Sequence, residues 1–551
     1  MDNREVAWTL LEIGKMVELR GDSKFAGQSY KRAARLIERS EPIKKLIDEN
    51  KLRNLEGIGD RIAQNIMDMV KLGHSPKLEK LREQVPCGLR EMIDIPNLTS
   101  QKVHLLYKEL NIDTIDKLEK AIASKRLLSV KGFGLSTIGD IKSGIEQYKQ
   151  RGRTFLLGLA LPLAYSYLKE IREMDCVKNA EVVGEIRRMK ETVSSVEIIV
   201  LTDDTQKFLT TLKKNNIEID SNKEKRTLEF EGNYNIPVKI YLSPEEKYGI
   251  EKIIYTGSEK HVQDLEALGL LKQRSDNEGQ VYDSIGLKYI PPFLREGDRE
   301  IELARDDRLP NLISVKDIVG DLHLHSHYSD GLNSIEELVK AAKRMGYQYI
   351  AITDHSQSLK IAKGLTKERI LEQWREIDRI QGKYHIKILK GIEVDILADG
   401  SLDFQDDFLE QFDIVVASVH SHFKQHQNEM TARIMKAVAN PNVDIIGHAT
   451  GRLIQKRMPY DVDIKKVLNY AKDYKIAFEI NSSPDRLDLN SENILLAKEL
   501  GLKIAINTDS HSTLEFANIL LGVGTGQRGY LEKKDVLNCW EKEELLAYLR
   551  G

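Results

Sequence analysis

The stretch DLHLHSHYSDG, residues 321–331, holds His323, His325 and Asp330 close together. Side chains on an extended segment repeat every second residue, so the two imidazoles of His-Leu-His point to one side. Two nitrogens on one face are half of a metal site, and on the tripeptide alone a pair of idle surface histidines is an equal alternative. The surroundings decide. After GDLHLHS come YQYIAITDH, IKILKGIEVD, DIVVASVH, VDIIGHAT, KIAFEINSS and KIAINTDSH, separated by helical stretches or longer loops. Seven apolar runs in such a series imply parallel pairing, as a closed barrel if the ends meet or as a doubly wound sheet if they do not.

In a parallel barrel the C-terminal ends of the strands converge on one mouth. Ten of the 13 histidines lie after residue 320, and their placement follows the runs. His323 and His325 sit on the first run, His355 ends the second, Glu393 and Asp395 end the third and His420 ends the fourth. His448 follows the fifth run, and Asp509 and His511 follow the seventh. Imidazoles and carboxylates without thiolates suit Mn²⁺, Zn²⁺ or Fe. The set His323, His325, Asp330, His355, Glu393, His420, His448, Asp509 and His511 exceeds the needs of one ion. A cluster of two or three ions is expected, Mn²⁺ first among the candidates, with Glu393 as bridge and Asp395 orienting a ligand from behind. Such clusters activate water and neutralise phosphoryl charge, which is the chemistry of phosphoester hydrolysis. His327, His422 and His426 read as rim residues, and His74 and His385 have no assigned role.

The chain has 551 residues, 41% hydrophobic and 31% charged, enough for three or more domains. No apolar run approaches a membrane span, and the acidic N-terminal stretch lacks the features of a signal peptide, so a cytoplasmic protein without membrane contact is expected. Cys87, Cys176 and Cys539 are scattered, which supports neither a disulfide framework nor a thiolate zinc site. Residues 1–150 carry 27 Lys and Arg against 22 Asp and Glu, a basic excess too small to argue nucleic-acid binding alone.

Amphipathic stretches broken by short turns make residues 1–150 all-helical. Gly57-Ile58-Gly59 and Gly132-Phe133-Gly134 each enter a helix with backbone N–H groups exposed, which suits a phosphate, and IPNLTSQKVHLLYKEL reads as a third copy without its glycines. From about residue 151, short β-type runs with helices between them predict an α+β domain, and YIPPFLREGDREIELARDDRLPNLIS reads as a linker ending near 318.

DLHLHSHYSDG, AITDHS, GIEVDI, SVHS, IIGHATGR and NTDSH resemble, in order and spacing, the motifs of the PHP (polymerase and histidinol phosphatase) phosphoesterases. That resemblance implies a distorted (β/α)₇ barrel with up to three ions and all nine metal positions present. It also implies a catalytic role for Glu393, His448 and Arg452, with Arg452 in addition contacting DNA phosphate. The Gly-x-Gly turns resemble the helix-hairpin-helix elements of family X DNA polymerases, with Gly57, Gly59, Gly132 and Gly134 as DNA-contact positions. VVGEIRRMKETVSSVEIIV, IPVKIYLSPEEKYG, IIYTGSEKH and YIPPFLREG resemble the palm and thumb of the bacterial members, which carry a C-terminal PHP domain. The expected domains are therefore 1–85 and 86–150, both helical with a helix-hairpin-helix, a degenerate palm at 151–250, thumb and linker at 251–318, and the PHP domain at 319–551.

The palm departs from the family pattern. Glu185 stands where a Gly-Ser pair ends, Ser195 and Glu197 replace an Asp-x-Asp, and Lys239 occupies the third aspartate position, while Arg187, Arg188, Gly257 and Ser258 remain. Nucleotidyl transfer needs carboxylates holding two Mg²⁺ ions, so polymerase activity is expected lost or weak and dNTP binding is in doubt. The resulting expectation is a metal-dependent 3′–5′ DNA exonuclease of DNA repair, acting as a monomer on gapped or 3′-ended duplex and on abasic sites, nucleoid-associated when bound. An active gap-filling polymerase, a non-catalytic DNA-binding scaffold and a small-molecule phosphatase are the alternatives.

Overall fold

A computed structural model describes every residue of the chain except 2, 23, 56, 214–219, 223–225 and 551. It resolves into two compact units, Met1–Arg153 with Gln455–Arg457, and the remainder from Thr154.

The first unit is helical from Asn3–Arg20 to Leu135–Arg151 around one apolar core. Its three expected hairpins share one construction. Gly59 caps helix Asp60–Leu72, Gly134 caps Leu135–Arg151 and Thr99 caps Ser100–Leu110. Two residues before each cap the chain turns left-handed, at Gly57 (φ +105°), Gly132 (φ +94°) and Asn97 (φ +66°). The residue between is buried every time, as Ile58, Phe133 and Leu98. Asparagine tolerates the left-handed region better than other side-chain-bearing residues, and threonine caps a helix with its own hydroxyl, here accepting from Lys102 N. The glycine-free copy thus keeps the backbone geometry by different chemistry.

The second unit begins with a five-stranded mixed sheet in the order Val177–Val182, Val196–Thr202, Pro237–Ser243, Thr227–Glu231, Asp220–Asn222. Val196–Thr202 and Pro237–Ser243 pair in parallel, which sets Glu197 opposite Lys239. The stretch read as a linker is a packed substructure: short helix Glu300–Arg305 and the turn Pro292–Leu294 join a core containing Ile253, Tyr282, Leu294 and Ala304. Prolines stop regular structure there as expected, but Arg295 is fully buried and anchors the segment.

The remainder is a seven-stranded, all-parallel sheet with strands in sequence order: Gly320–Leu324, Tyr349–Ile352, Lys387–Asp395, Ile414–Ser418, Ile445–Ile446, Ala477–Asn481 and Lys503–Asn507. The first and last strands meet through a parallel bridge at Leu324 and Ser510, with His325 N donating to Ser510 O at 3.0 Å. The sheet is a nearly closed barrel, not a doubly wound sheet. Tyr349 and Ala351 pack in the inner cluster while Ile350 and Ile352 pack under the outer helices, so the strand is buried on both faces and reads as a continuous apolar run. The inner cluster includes Leu537 and Leu545, with Trp540 and Tyr548 packed against it, so the C-terminal segment stops one end of the barrel and leaves the other as the mouth. Among the described residues no helix is long and apolar enough to cross a membrane.

Candidate metal centre

All nine predicted donors meet at the barrel mouth. Three groups have donor atoms close enough to share an ion: His325, Asp330, His355 and His511; His323, His325 and Glu393; and His355, Glu393 and His420. His325, His355 and Glu393 each belong to two of them. Glu393 Oε2 lies 2.8 Å from His355 Nδ1 and 3.4 Å from His323 Nε2. Its Oε1 lies 3.1 Å from His448 Nε2 and 3.3 Å from His420 Nε2. Asp509 Oδ1 is 3.0 Å from His325 Nε2, and Asp330 Oδ1 is 3.3 Å from His511 Nε2.

These donors fit divalent cations on the evidence of their own valences. Among the described residues, His323 Nε2, both nitrogens of His325, His355 Nδ1, His448 Nδ1 and Glu393 Oε2 are buried and form no well-directed hydrogen bond, close as several of them lie to one another. Buried polar atoms are normally paired, and a cation would satisfy those of these atoms that lie in the donor groups, His323 Nε2 and Glu393 Oε2 among them. The electrostatics agree. Burial alone would raise the Glu393 carboxyl, but the charges of His420, His323 and His355 hold it well below the carboxylate range. Burial likewise disfavours the charged form of His420, yet Glu393 and Asp395 bring it up to about 10, and His511 reaches about 9 beside Asp330 and Asp509. His325, buried between His511 and His355, falls to about 4. The cup attracts positive charge, and protons and metal ions compete for it.

Behind the donors stand residues that aim them. Asp395 Oδ1 accepts from His420 Nδ1 at 2.5 Å, the orienting role expected of it. Glu479 was missed: it accepts from His323 Nδ1 at 2.7 Å, from His448 N at 2.8 Å and from Asn507 Nδ2 at 3.0 Å. Its only sequence signal was a glutamate inside the apolar run KIAFEIN. Asp354 accepts from Ser326 N at 2.8 Å and Gln373 Nε2 at 2.5 Å, fixing the turn that carries Asp330. His327, His422, His426 and His385 are exposed, and His426 sits at the start of helix Gln427–Val438.

The two arginines near the mouth differ from expectation. Arg452 is committed to the protein: Nη1 donates to Glu191 Oε1 at 3.1 Å, Nη2 to Glu191 Oε2 at 2.5 Å and Nε to Arg486 O at 2.9 Å. Arg486, which sequence reasoning passed over, has Nε 3.8 Å from Asp509 Oδ2 and a buried Nη1 with no hydrogen-bond partner among the described residues. Nothing in SPDRLDL marks it, because its approach to Asp509 depends on the turn after the sixth strand.

Most of the positions read as palm are paired within the protein. Ser195 Oγ donates to Glu197 Oε1 at 2.9 Å, Tyr241 Oη donates to Glu197 Oε2 at 2.9 Å, and Tyr241 stacks on Tyr255. Glu185 accepts from Ser194 N at 2.7 Å. Arg187 forms a two-pronged pair with Glu278 at 2.9 and 2.6 Å, and Arg188 donates to Glu296 at 3.0 Å and to Thr256 O at 2.6 Å. Gly257 ends helix Tyr248–Thr256, and Ser258 caps the next by accepting from His261 N. In the helical unit, a side chain at Gly59, Gly132 or Gly134 would meet open space, so these turns present bare backbone outward.

Comparison with known proteins places this geometry. Residues 321–483 match the PHP domain model and residues 1–75 match a helix-hairpin-helix domain model. The "DNA polymerase/3'-5' exonuclease PolX" of Bacillus subtilis (strain 168) is 33% identical over the whole of both chains. The chain belongs to the PolX family. Within it, the PHP barrel also matches smaller proteins: a "Probable phosphatase" of Thermoanaerobacter sp. (strain X514) is 35% identical over 36% of this chain and 81% of its own. A "Probable phosphatase" of Clostridium acetobutylicum is 28% identical over 42% of this chain and 94% of its own. This PolX member therefore joins a helix-hairpin-helix domain to a PHP barrel whose mouth carries His, Asp and Glu groups that could hold metal.

Proposed function

We propose that the chain is a metal-dependent 3′–5′ DNA exonuclease working through its PHP barrel, with the palm retained as a scaffold and templated polymerisation lost. The contrast between two sites carries this reading: carboxylates and imidazoles converge at the barrel mouth, while Glu197 in the palm faces Ser195, Tyr241 and Lys239 with no second carboxylate among those positions. The B. subtilis relative is named for both activities and the barrel relatives for phosphatase activity, which supports phosphoester hydrolysis at the barrel. The substrate is gapped or 3′-ended duplex DNA, with abasic sites a further class. The protein works in repair, in the cytoplasm and on the nucleoid, as a monomer.

His323, His325, Asp330, His355, Glu393, His420, His448, Asp509 and His511 would hold two or three ions, Mn²⁺ first and Zn²⁺ or Fe next. When bound, these ions supply an activated water and neutralise charge on the phosphoryl oxygens. The chain's own residues do the rest. Glu393 ties the groups into one unit, Asp395 and Glu479 fix the orientations of His420 and His323, and the burial of the cup excludes competing water. Arg486 sets its guanidinium beside Asp509, where a non-bridging phosphate oxygen would give the group a further acceptor. Water attacks phosphorus in line, the bond from phosphorus to the 3′ oxygen breaks, and a 5′-mononucleotide leaves.

The test is one labelled gapped duplex with Mn²⁺, with and without dNTPs, comparing the native chain with a His323→Ala/His325→Ala variant. Shortening of the primer 3′ end by the native chain alone is expected. Template-directed extension that survives the variant would show a working palm and overturn the reading. Arg486→Ala should lower exonuclease kcat/KM by about 30- to 300-fold, the range for loss of a charge-assisted phosphate contact, at unchanged metal content. A variant that loses its metal instead would make Arg486 a structural prop.

A further inference from the structure

The loop after His355, SQSLKIAKGL, presents Ile361 at 93% exposure between two exposed lysines, Lys360 and Lys363. An isoleucine so displayed is usually a feature of a loose loop. This loop is held rigidly. Leu365 N donates to His355 O at 2.8 Å and Gly364 N to Leu359 O at 3.1 Å. Ser358 N donates to Asp403 Oδ2 at 2.7 Å, and Ser358 Oγ donates to Asp395 Oδ2 at 2.5 Å, the carboxylate that orients His420. Arg369 spans Lys363 O and Tyr328 O, tying the loop to the one that carries Asp330. Gly364 packs so closely that a methyl group there would lie 1.9 Å from Ser356 O. The turn Lys360–Ala362 buries Ala362 and therefore turns Ile361 outward. Among the described residues neither lysine has an ion-pair partner.

A rigid apolar tip flanked by free cations, rooted through His355 and Asp395 in the metal cup, fits one kind of partner. The stacked face of a terminal base pair is apolar and its flanking phosphates are anionic, whereas a protein surface would need a larger apolar patch than one side chain. Two more exposed leucines, Leu332 and Leu514, lie on the neighbouring loops near His511, where Leu332 N donates to His511 O at 2.8 Å. Chemistry at a paired 3′ end requires the last nucleotide to leave the stack before its phosphate can reach a buried cup. We propose that Ile361 is a wedge that separates the 3′-terminal nucleotide from its template partner, with Lys360 and Lys363 gripping the backbone phosphates beside it. The proposal rests on the exonuclease reading above for its purpose, and the second of its two readouts is independent of that reading.

The experiment compares the full-length native chain with Ile361→Ala and Ile361→Leu on one 3′-labelled strand, single-stranded or in blunt duplex, with Mn²⁺. Ile361→Ala is expected to slow digestion of the duplex about tenfold and to leave the single strand within about twofold, with Ile361→Leu restoring the duplex rate. Equal loss on both substrates, or none on the duplex, would overturn the wedge. A second readout needs no turnover: with EDTA present, 2-aminopurine at the 3′ terminus of the duplex should brighten on binding the native chain and less on binding Ile361→Ala. If neither DNA is shortened the exonuclease reading fails, and the fluorescence still decides the wedge: equal brightening by both proteins refutes it.

Discussion

Glu393→Gln is expected to lower exonuclease kcat by more than about a thousandfold, roughly 4 kcal/mol of transition-state stabilisation. The carboxylate sits within hydrogen-bonding or ligand distance of His323, His355, His420 and His448, and it belongs to two of the three donor groups. Glutamine preserves its volume, so the cup should survive while the shared negative charge is lost. Metal analysis of the purified variant should show at least one ion fewer than the native chain. Full metal content together with activity within about tenfold of native would remove Glu393 from its bridging role.

The second large effect falls on stability. Glu278→Gln should destabilise the palm-bearing unit by about 3–5 kcal/mol, the usual cost of breaking a buried ion pair by deleting one partner. Glu278 binds Arg187 at 2.9 and 2.6 Å and Arg295 at 2.6 Å, and Lys252 approaches to 3.3 Å. Arg295 is fully buried, so the variant leaves its guanidinium without a counter-charge. The pH dependence follows from the same contacts. Burial would raise the Glu278 carboxyl, but the Arg187 hydrogen bonds and the charges of Arg295, Arg187 and Lys252 bring it down to about 2 from an ordinary 4.5. A depressed carboxylate contributes stability that is fully present above about pH 4.5 and is lost as the pH falls towards 2. That linkage is worth about 3 kcal/mol. Urea unfolding of both proteins at pH 7 and at about pH 3 should show the gap between them narrowing in acid. A gap that stays constant would mean the carboxylate is not held ionised by its neighbours.

These ion pairs also explain how the parts of the second unit hold together. Glu296 binds Arg188 from the palm and Arg528 from the helix after the last barrel strand, the latter at 2.6 Å, and Glu191 binds Arg452. Arg187 and Arg188 are thus both engaged by carboxylates of the same unit.

Much of the metal cup was legible because strand geometry has a short period and a fixed direction. Residues at the ends of successive parallel strands must converge, so His323, His355, Glu393, His420 and Asp509 could be grouped without coordinates. Backbone demands were legible where residue chemistry is distinctive, as in the Gly-x-Gly turns, and even the altered copy was recognisable because Asn97 and Thr99 meet the same two requirements. Pairings over long sequence separations were not. Glu479 lies 156 residues from His323, Glu278 lies 91 from Arg187, and Glu191 lies 261 from Arg452. A charged residue's partner depends on distances of a few ångströms that periodicity does not encode. The sequence by itself therefore determined a series of parallel strands with His, Asp and Glu at their ends and, through the family resemblance, the expectation of a barrel. Only the tertiary structure decided that Arg452 is a brace, that Arg486 is the arginine beside the cluster, and that Ile361 stands out on a rigid loop, because each depends on which long-range contacts satisfy a charge or bury a side chain.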